Sequence, residues 1–206
     1  MEAVILAGGI GTRLQPVVPD VPKPMAPVNG RPFLKYQMDY WIRQGVRRFI
    51  LSIGYRGEII RSYFGSRYEN AEIDYAVEEH PLGTGGGLLL AVRELISSGP
   101  FLILNGDTFF EVDLDALQLF HHQKKSEFTI ALLKVPVNSR YSGVQVGKES
   151  NIVAFEDRKP ASSNLLVNGG VYLAEKSAIE NQHWVQGDKL SLEDVTGGRL
   201  SGHGIG

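Results

Sequence analysis

Cysteine is absent from the 206 residues, which excludes disulfide bonds, thiolate catalysis and cysteine-based metal sites. This absence fits a reducing compartment. No stretch approaches the ~18 consecutive apolar residues of a membrane-spanning helix. The N-terminal apolar run is short and lacks the basic region that precedes the apolar part of a signal peptide. We therefore expect a cytoplasmic protein with no membrane partner.

An excess of charge of one sign is also missing. Lys and Arg total 21, Asp and Glu total 23, and the formal net charge is −2. The chain as a whole therefore has no electrostatic footprint for nucleic acid. Its length suits one domain with a sizeable core. We expect a single domain over residues 1–195 and a flexible, glycine-rich tail over 196–206. A homo-oligomer is compatible with the sequence.

Short apolar runs alternate with helical periodicity in the first half of the chain. Residues 3–7, 49–53, 73–77 and 101–104 predict buried strands, and helices are predicted between them. This βαβ order favours a parallel sheet with helices on both faces. After residue 128, strands follow one another closely, so the second half predicts a mixed sheet.

The first predicted strand ends in a loop that contains Gly8, Gly9, Gly11 and Arg13. Glycines let backbone N–H groups approach an anion, and an arginine adds several charged donors. The loop is not a P-loop, because no Gly-Lys-Ser/Thr follows, and Leu14 stands where a dinucleotide-binding loop needs its third glycine. A phosphate-binding loop and a plain tight turn remain the two interpretations.

Two charged residues are expected near this loop. Lys23 lies between Pro22 and Pro24 in a proline-rich segment that predicts extended structure, and Asp107 follows the strand predicted at 101–104. Ligands of open α/β sheets bind at the carboxyl ends of the strands. A carboxylate beside a phosphate loop favours an intervening divalent cation, and Mg²⁺ commonly uses one or two carboxylates with phosphate oxygens. A solvated lysine and a simple Asn-Gly-Asp turn are the alternatives.

Two further features are less specific. The glycine-rich stretch 78–87 precedes a predicted helix over 88–96, and either a ligand at the helix N-terminus or a hinge without a ligand explains it. His121 and His122 are read as solvent-side residues of a helix over 114–123. Adjacent residues do not share a helical face, so they do not predict a metal pair.

The order of the motifs resembles the signature of sugar-1-phosphate nucleotidyltransferases. The resemblance spans about residues 2 to 175. Its motifs are Gly8-Gly9-Ile10-Gly11-Thr12-Arg13-Leu14, Pro22-Lys23-Pro24, Pro81-Leu82-Gly83-Thr84-Gly85, Asn105-Gly106-Asp107, Tyr141-x-Gly143, Phe155-Glu156 with Lys159-Pro160, and Asn168-Gly169-Gly170-x-Tyr172. Residues 21–27, 31–34 and 81–86 look most like the branch that makes GDP-heptose from D-glycero-D-manno-heptose 1-phosphate.

The resemblance implies a Rossmann-like three-layer α/β fold of the glycosyltransferase-A-like type, with a mostly parallel central mixed sheet. It implies nucleotidyl transfer from a nucleoside triphosphate, GTP in this branch, to a sugar 1-phosphate, with Mg²⁺ as cofactor and polysaccharide biosynthesis as the setting. The implied catalytic residues are Arg13, Lys23 and Asp107, of which Asp107 binds the metal. The implied nucleotide-binding residues are Leu6, Ala7, Gly8, Gly9, Gly11, Thr12, Arg13, Lys23, Pro81, Gly83, Thr84 and Asp107. The implied sugar-phosphate-binding residues are Gly143, Glu156, Lys159, Asn168 and Tyr172.

One departure from the family pattern qualifies the expected activity. Members carry a second metal aspartate in an Asp-x-Gly context after the region of residues 191–193, and no such motif is found here. Asp188 and Asp194 have different surroundings. We therefore expect weakened Mg²⁺ binding and weakened catalysis. Transfer to mannose 1-phosphate or glucose 1-phosphate, and a relative that only binds nucleotide or sugar phosphate, remain alternatives.

Overall fold

The computed structural model describes residues 1–9, 11, 16, 18–136, 143–156, 164–180, 187, 189–196 and 200–205, with residues 156, 164 and 200–205 described by their backbone only. The strands are β1 Glu2–Leu6, β2 Pro27–Val28, β3 Arg31–Pro32, β4 Arg48–Ile53, β5 Arg67–Tyr68, β6 Ala71–Val77, β7 Pro100–Asn105, β8 Phe128–Pro136, β9 Gly143–Val146, β10 Ile152–Glu156, β11 Asn164–Glu175 and β12 Leu200–Ile205. The helices are α1 Phe33–Arg43, α2 Gly57–Phe64, α3 Gly83–Val92, α4 Leu114–Lys124, α5 Lys176–Glu180 and α6 Leu192–Thr196.

Eight of the described strands form one mixed sheet, in the order β12-β8-β11-β7-β1-β4-β6-β5. β7, β1, β4 and β6 are parallel to one another, whereas β11 runs antiparallel to both of its neighbours, β7 and β8. One core cluster packs α1, α2 and α4 against the sheet, and a second packs α3, α5 and α6 against the other face. The predicted three-layer α/β fold with a mostly parallel sheet is confirmed.

The apolar pattern explains this layering. Ala3, Val4 and Ile5 of β1 are fully buried, as a strand covered by helices on both faces must be. In α1, the buried residues Leu34, Met38 and Trp41 recur at helical spacing and form the stripe that faces the core. These two elements, β1 and α1, therefore form where the apolar pattern predicts them.

The expectation of a flexible tail over 196–206 is wrong for the residues that the structure describes. Leu200–Ile205 form β12, which pairs in parallel with β8 from Leu200 opposite Phe128 to Ile205 opposite Leu133. A glycine-rich strand needs only its backbone groups to pair, so the lack of side-chain periodicity did not reveal it. β12 covers main-chain groups that β8 would otherwise expose at the edge of the sheet.

Two other local predictions need correction. α3 begins at Gly83, inside the glycine-rich stretch, rather than at residue 88. Lys23 begins a single 3₁₀ turn, Lys23–Met25, where extended structure was expected. Proline is tolerated in the first turn of a helix, because the N–H that it lacks would have no partner there. None of the helices in the described ranges is long and apolar enough to cross a membrane.

His121 is buried rather than solvent-side, whereas His122 is exposed as predicted. The Nδ1 atom of His121 lies 2.8 Å from the Thr129 hydroxyl, and its Nε2 atom lies 3.2 Å from a carboxylate oxygen of Glu175. Burial lowers the pKa of His121 and outweighs the opposing attraction of Glu175. Leu114, Leu117 and His121 form one buried helical stripe, so the i, i+3, i+7 spacing carried a signal for this burial.

Candidate active site

The loops after β1 and β7 lie side by side at the carboxyl edge of the sheet. The two strands pair in parallel with Leu6 opposite Asn105. Beyond them, the Gly106 N–H donates to the Leu6 carbonyl over 3.0 Å, and a Cβ at Gly106 would lie 2.6 Å from that oxygen. Only glycine permits this approach, which brings Asp107 next to the loop that begins at Gly8.

Lys23 and Asp107 form an ion pair at this edge. Their side chains are 38% and 43% exposed, so the pair is open to solvent. Gly11 has φ +64°, and a Cβ there would lie 2.8 Å from Lys23 Cβ. The structure thus brings together Gly11, Lys23 and Asp107, three of the residues that the sequence predicted to converge. Thr12 and Arg13, also predicted for this site, lie outside the described residues.

A buried glutamine supports the turn that carries Asp107. Gln37 Nε2 donates to the carbonyl oxygens of Asn105 and Thr108, at 2.9 Å each. Sequence reasoning missed this residue. The available signal was a polar side chain on the apolar face of α1, one turn away from the buried Trp41.

The Asn168 to Tyr172 motif forms an irregularity in β11 close to the same edge. Pairing with β8 shifts register between Asn168 and Tyr172. A Cβ at Gly169 would lie 2.2 Å from the Phe110 ring, and Gly170 has φ +72°, so the motif needs both glycines. The Asn168 side chain accepts from the Gly170 N–H and donates to the Tyr172 hydroxyl. Tyr172 is 3% exposed, and burial raises its pKa. The buried phenol is therefore neutral, and its hydroxyl accepts the hydrogen bond that orients Asn168.

A cleft of about 260 Å³ opens on the other side of Gly8. The Glu78 carboxylate, at the end of β6, accepts from the Ser52 hydroxyl at 2.9 Å and from the Leu82 N–H at 3.1 Å. A Cβ at Gly8 would lie 2.1 Å from Glu78 Oε1, so the loop passes directly over this carboxylate. Sequence reasoning missed Glu78, although its place after a strand at the carboxyl edge was a signal. The cleft is lined by Gly8, Gly54, Tyr55, Glu78, Glu79, His80 and Pro81.

The second glycine-rich stretch packs against the segment that leads into α6. Gly83 has φ +75°, and a Cβ there would lie 2.4 Å from the Leu190 carbonyl oxygen. The Thr84 hydroxyl accepts from the Leu192 N–H at 2.9 Å. Close backbone packing therefore accounts for Gly83 and Thr84 without a ligand, while Pro81 lines the cleft. Leu6 and Ala7 are at the end of β1, where the Ala7 N–H donates to the Ser52 carbonyl.

Of the residues predicted to hold the sugar phosphate, the structure describes only some. Gly143 begins β9 and pairs with Glu156, the last residue of β10, in a separate two-stranded sheet. Lys159 lies outside the described residues. Val144 and Ile152 of this hairpin belong to the same core cluster as Tyr172 of β11. The hairpin therefore packs on the face of the sheet to which Tyr172 contributes.

The described side chains at the carboxyl edge of the sheet provide only some of the ligands that a metal ion needs. Across the described ranges, no group of three or more His, Cys, Asp or Glu side chains could hold a metal ion. Asp107 provides one exposed carboxylate, which fits Mg²⁺ when phosphate oxygens complete the coordination. Asp194 accepts instead from the Ser191 N–H and hydroxyl, both at 2.8 Å, and the backbone bond lowers the pKa of Asp194.

Comparison with known proteins decides the family. The sequence profile described as Nucleotidyl transferase matches residues 2–196, nearly the whole chain. The chain belongs to the nucleotidyl transferase family. The family prediction from the motif order is thereby confirmed.

Two heptose enzymes are similar to this member of the family over most of their length. D-glycero-alpha-D-manno-heptose 1-phosphate guanylyltransferase of Aneurinibacillus thermoaerophilus is 43% identical over 180 residues, which cover 87% of this chain and 77% of the relative. The enzyme of the same name from Campylobacter jejuni is 39% identical over 196 residues, which cover 94% and 84%. The predicted resemblance to the heptose branch is confirmed.

The fold of a solved relative agrees with these matches. The crystal structure of HddC from Yersinia pseudotuberculosis complexed with GMP-PN superposes with a TM-score of 0.83 at 32% sequence identity. The match covers 99% of this chain and 90% of HddC.

Proposed function

We propose that this chain transfers a guanylyl group from GTP to D-glycero-D-manno-heptose 1-phosphate. A phosphate oxygen of the sugar 1-phosphate forms a bond to the α-phosphorus of GTP, the bond from that phosphorus to the bridging oxygen breaks, and pyrophosphate leaves with that oxygen. The observation that carries the proposal is the exposed Lys23–Asp107 pair beside the Gly8 to Gly11 loop. The similarity to two heptose guanylyltransferases supports the choice of substrates.

The chemistry is mainly a problem of charge and position. Two anions must meet, and no covalent intermediate is needed if the protein holds them in line and compensates their charge. An exposed ion pair contributes little to stability, about 0–1 kcal/mol. Lys23 therefore loses little by turning from Asp107 to the α-phosphate when substrate binds. The backbone of Gly8, Gly9 and Gly11 offers N–H groups to the triphosphate.

Asp107 is the residue that we propose holds the divalent metal, which we take to be Mg²⁺. When bound with the triphosphate, the metal supplies neutralisation of phosphate charge. The protein contributes the position of the carboxylate, which Gly106 and the β1–β7 pairing bring to the loop. From the motif order, Arg13 and Lys159 are further proposed to bind the triphosphate and the sugar phosphate.

Glu78 gives a physical reason to prefer guanine. Guanine presents two adjacent donors on one edge, N1–H and the 2-amino group, whereas the same edge of adenine presents an acceptor at N1. A carboxylate only accepts hydrogen bonds and has about four lone-pair sites. The bonds from Ser52 and Leu82 fix its orientation and leave acceptor capacity toward the cleft. We propose that this cleft takes the base and that Glu78 reads guanine.

The sugar phosphate is proposed to bind on the opposite side of Asp107. Asn168 is held at this edge by its bonds to Gly170 and Tyr172. Gly143 begins one strand of the neighbouring hairpin, Glu156 is the last residue of the other, and the two residues pair. Amide and carboxylate groups suit a ligand with many hydroxyls, since each hydroxyl needs hydrogen-bond partners.

The experiment is a substrate matrix. Pyrophosphate release is measured from GTP, ATP, UTP, CTP and dTTP with D-glycero-D-manno-heptose, mannose and glucose 1-phosphates, at several Mg²⁺ concentrations. The proposal predicts fastest release with GTP and the heptose phosphate. Faster release with mannose 1-phosphate would reassign the sugar. Binding of GTP without release in any combination would favour the alternative of a protein that only binds its ligands.

A further inference from the structure

Asp107 lies in a four-residue turn, and a side chain of helix α1 bridges the two ends of that turn. The turn runs from Asn105 to Thr108, and the Thr108 N–H approaches the Asn105 carbonyl at 3.3 Å. Gln37 of α1 donates from one nitrogen to the carbonyl oxygens of both end residues, each at 2.9 Å. The amide therefore bridges the two ends of the turn, while the Asp107 side chain between them faces solvent and Lys23.

The orientation of the Gln37 amide follows from its neighbours. Two carbonyl oxygens are acceptors, so the amide must present its NH₂ group to them. Gln37 is 2% exposed, and its Oε1 is buried with no hydrogen-bond partner in the part of the chain that the structure describes. Methionine would fill a similar volume without an unsatisfied oxygen. What the amide adds over an apolar side chain is the pair of bonds to the turn.

We propose that Gln37 is a positioning residue for the active site. It acts through Asp107, by holding the turn so that the carboxylate is in place for the metal and the triphosphate. The inference rests on the proposed function, because it takes Asp107 to be the metal-binding carboxylate. Outer partners that orient a metal ligand typically change metal affinity by about 10–100-fold when they are removed.

The same helix provides a matched control. Gln44, at the end of α1, donates to the Val112 carbonyl at 2.9 Å and accepts from the Leu114 N–H at 2.8 Å. It therefore makes two hydrogen bonds to the same connection between β7 and α4, at a point past Asp107. Gln37→Met and Gln44→Met remove comparable contacts, but only the first releases the turn that contains Asp107.

The test is the Mg²⁺ dependence of pyrophosphate release. Gln37→Met is expected to raise the Mg²⁺ concentration for half-maximal rate by about 10-fold, and Gln44→Met by less than about twofold. Hydrogen exchange gives a readout independent of activity, in which Gln37→Met speeds exchange in a peptide spanning residues 105–108. Equal Mg²⁺ dependence in the two variants would overturn the inference.

A double variant separates this inference from the proposed function. If Gln37 acts through Asp107, the effect of Gln37→Met on Mg²⁺ dependence disappears in an Asp107→Asn background. An undiminished effect there would overturn the positioning role. If Asp107→Asn alone leaves the Mg²⁺ dependence unchanged, the metal role of Asp107 fails, and this inference fails with it. Gln37→Asn, whose amide is one methylene too short to reach both carbonyls, replaces Gln37→Met if the latter does not fold, with Gln44→Asn as its control.

Discussion

An ion pair lies at each of the two edges of the central sheet, and the two pairs differ in their role. At the carboxyl edge, Lys23 and Asp107 are 38% and 43% exposed and lie beside a glycine loop. At the amino edge, Arg48 pairs with Glu2, and these side chains are 13% and 10% exposed. Glu2 also accepts from the Ile96 and Ser97 N–H groups. One pair is open and exchangeable, whereas the other is enclosed and satisfied by further hydrogen bonds.

The hydrogen bonds to Glu2 at the amino edge agree with a structural role. Burial alone would raise the pKa of Glu2, but hydrogen bonds from Ser97, Ile96 and Arg48 together outweigh it and lower the pKa. A carboxylate with a lowered pKa stabilises the fold above its unfolded pKa, and this contribution is lost as the pH falls through the folded value. The Lys23–Asp107 pair at the candidate catalytic edge is thus more exposed than the Arg48–Glu2 pair at the supporting edge.

The largest expected effect is on turnover at the carboxyl edge. Lys23→Ala removes a charge placed to meet the α-phosphate, so pyrophosphate release should slow by about 10²–10³-fold. The melting temperature should change little, because the pair with Asp107 is exposed. Lys148→Ala is the control in the same assay, because this exposed lysine lies in the turn between β9 and β10, at the opposite end of the hairpin from Gly143 and Glu156. Turnover near the wild-type level in Lys23→Ala would contradict the catalytic role.

At the amino edge, Arg48→Met should reverse this pattern. It leaves the enclosed Glu2 carboxylate without its cation, which is expected to destabilise the fold by about 3 kcal/mol. Turnover per folded molecule should stay close to wild type. Urea unfolding followed by circular dichroism gives the free energy of unfolding. A strong loss of turnover at unchanged stability would show that the two edges are not separated in function.

Base selectivity offers an intermediate test within the carboxyl edge. Glu78→Gln keeps the shape of the side chain but replaces one acceptor oxygen by a donor, so the preference for GTP over ATP in kcat/KM should fall roughly 10-fold. Glu79→Gln, a neighbour that lines the same cleft, is the matched control and should keep the preference. Equal selectivity in both variants would remove Glu78 from base recognition.

The smallest expected effect is the pH dependence of stability through His121. Its lowered pKa means that folding favours the neutral ring, so this contribution is present above the unfolded pKa and is lost as the pH falls through the folded value. The melting temperature should therefore drop on acidification below about pH 6.5, and His121→Gln should reduce that drop. Glu175, Thr129 and His122 are the groups around the ring, and they are the same in the wild type and in the variant. A steeper drop in the variant would contradict the assignment.

The sequence predicted those strands and helices whose formation depends on local apolar patterns. Apolar runs such as that of β1 and the periodicity of α1 predicted buried elements, and their order predicted a parallel sheet. β12 was missed because its partner β8 is about 70 residues away, and backbone pairing leaves no mark on a glycine-rich segment. His121 was misread because histidine was taken as polar, although its spacing placed it on the buried stripe of α4.

The residues of the candidate site likewise fall into those that the sequence predicted and those that it did not. Gly11, Lys23 and Asp107 were predicted to converge, because strand ends and loops locate them without knowledge of side-chain contacts. Gln37 and Glu78 were missed, because their roles depend on contacts formed only in three dimensions. Gln37 reaches carbonyls 68 and 71 residues further along the chain, and Glu78 meets Ser52 26 residues before it.

The role of Asp107 in guanylyl transfer is tested most directly by comparing wild type with Asp107→Asn. Pyrophosphate release from GTP and D-glycero-D-manno-heptose 1-phosphate is measured for both proteins, with and without Mg²⁺. We expect release by the wild type that requires both the sugar phosphate and Mg²⁺, and a loss of at least about 10²-fold in Asp107→Asn at the same stability. Equal rates of release in the two proteins would contradict it.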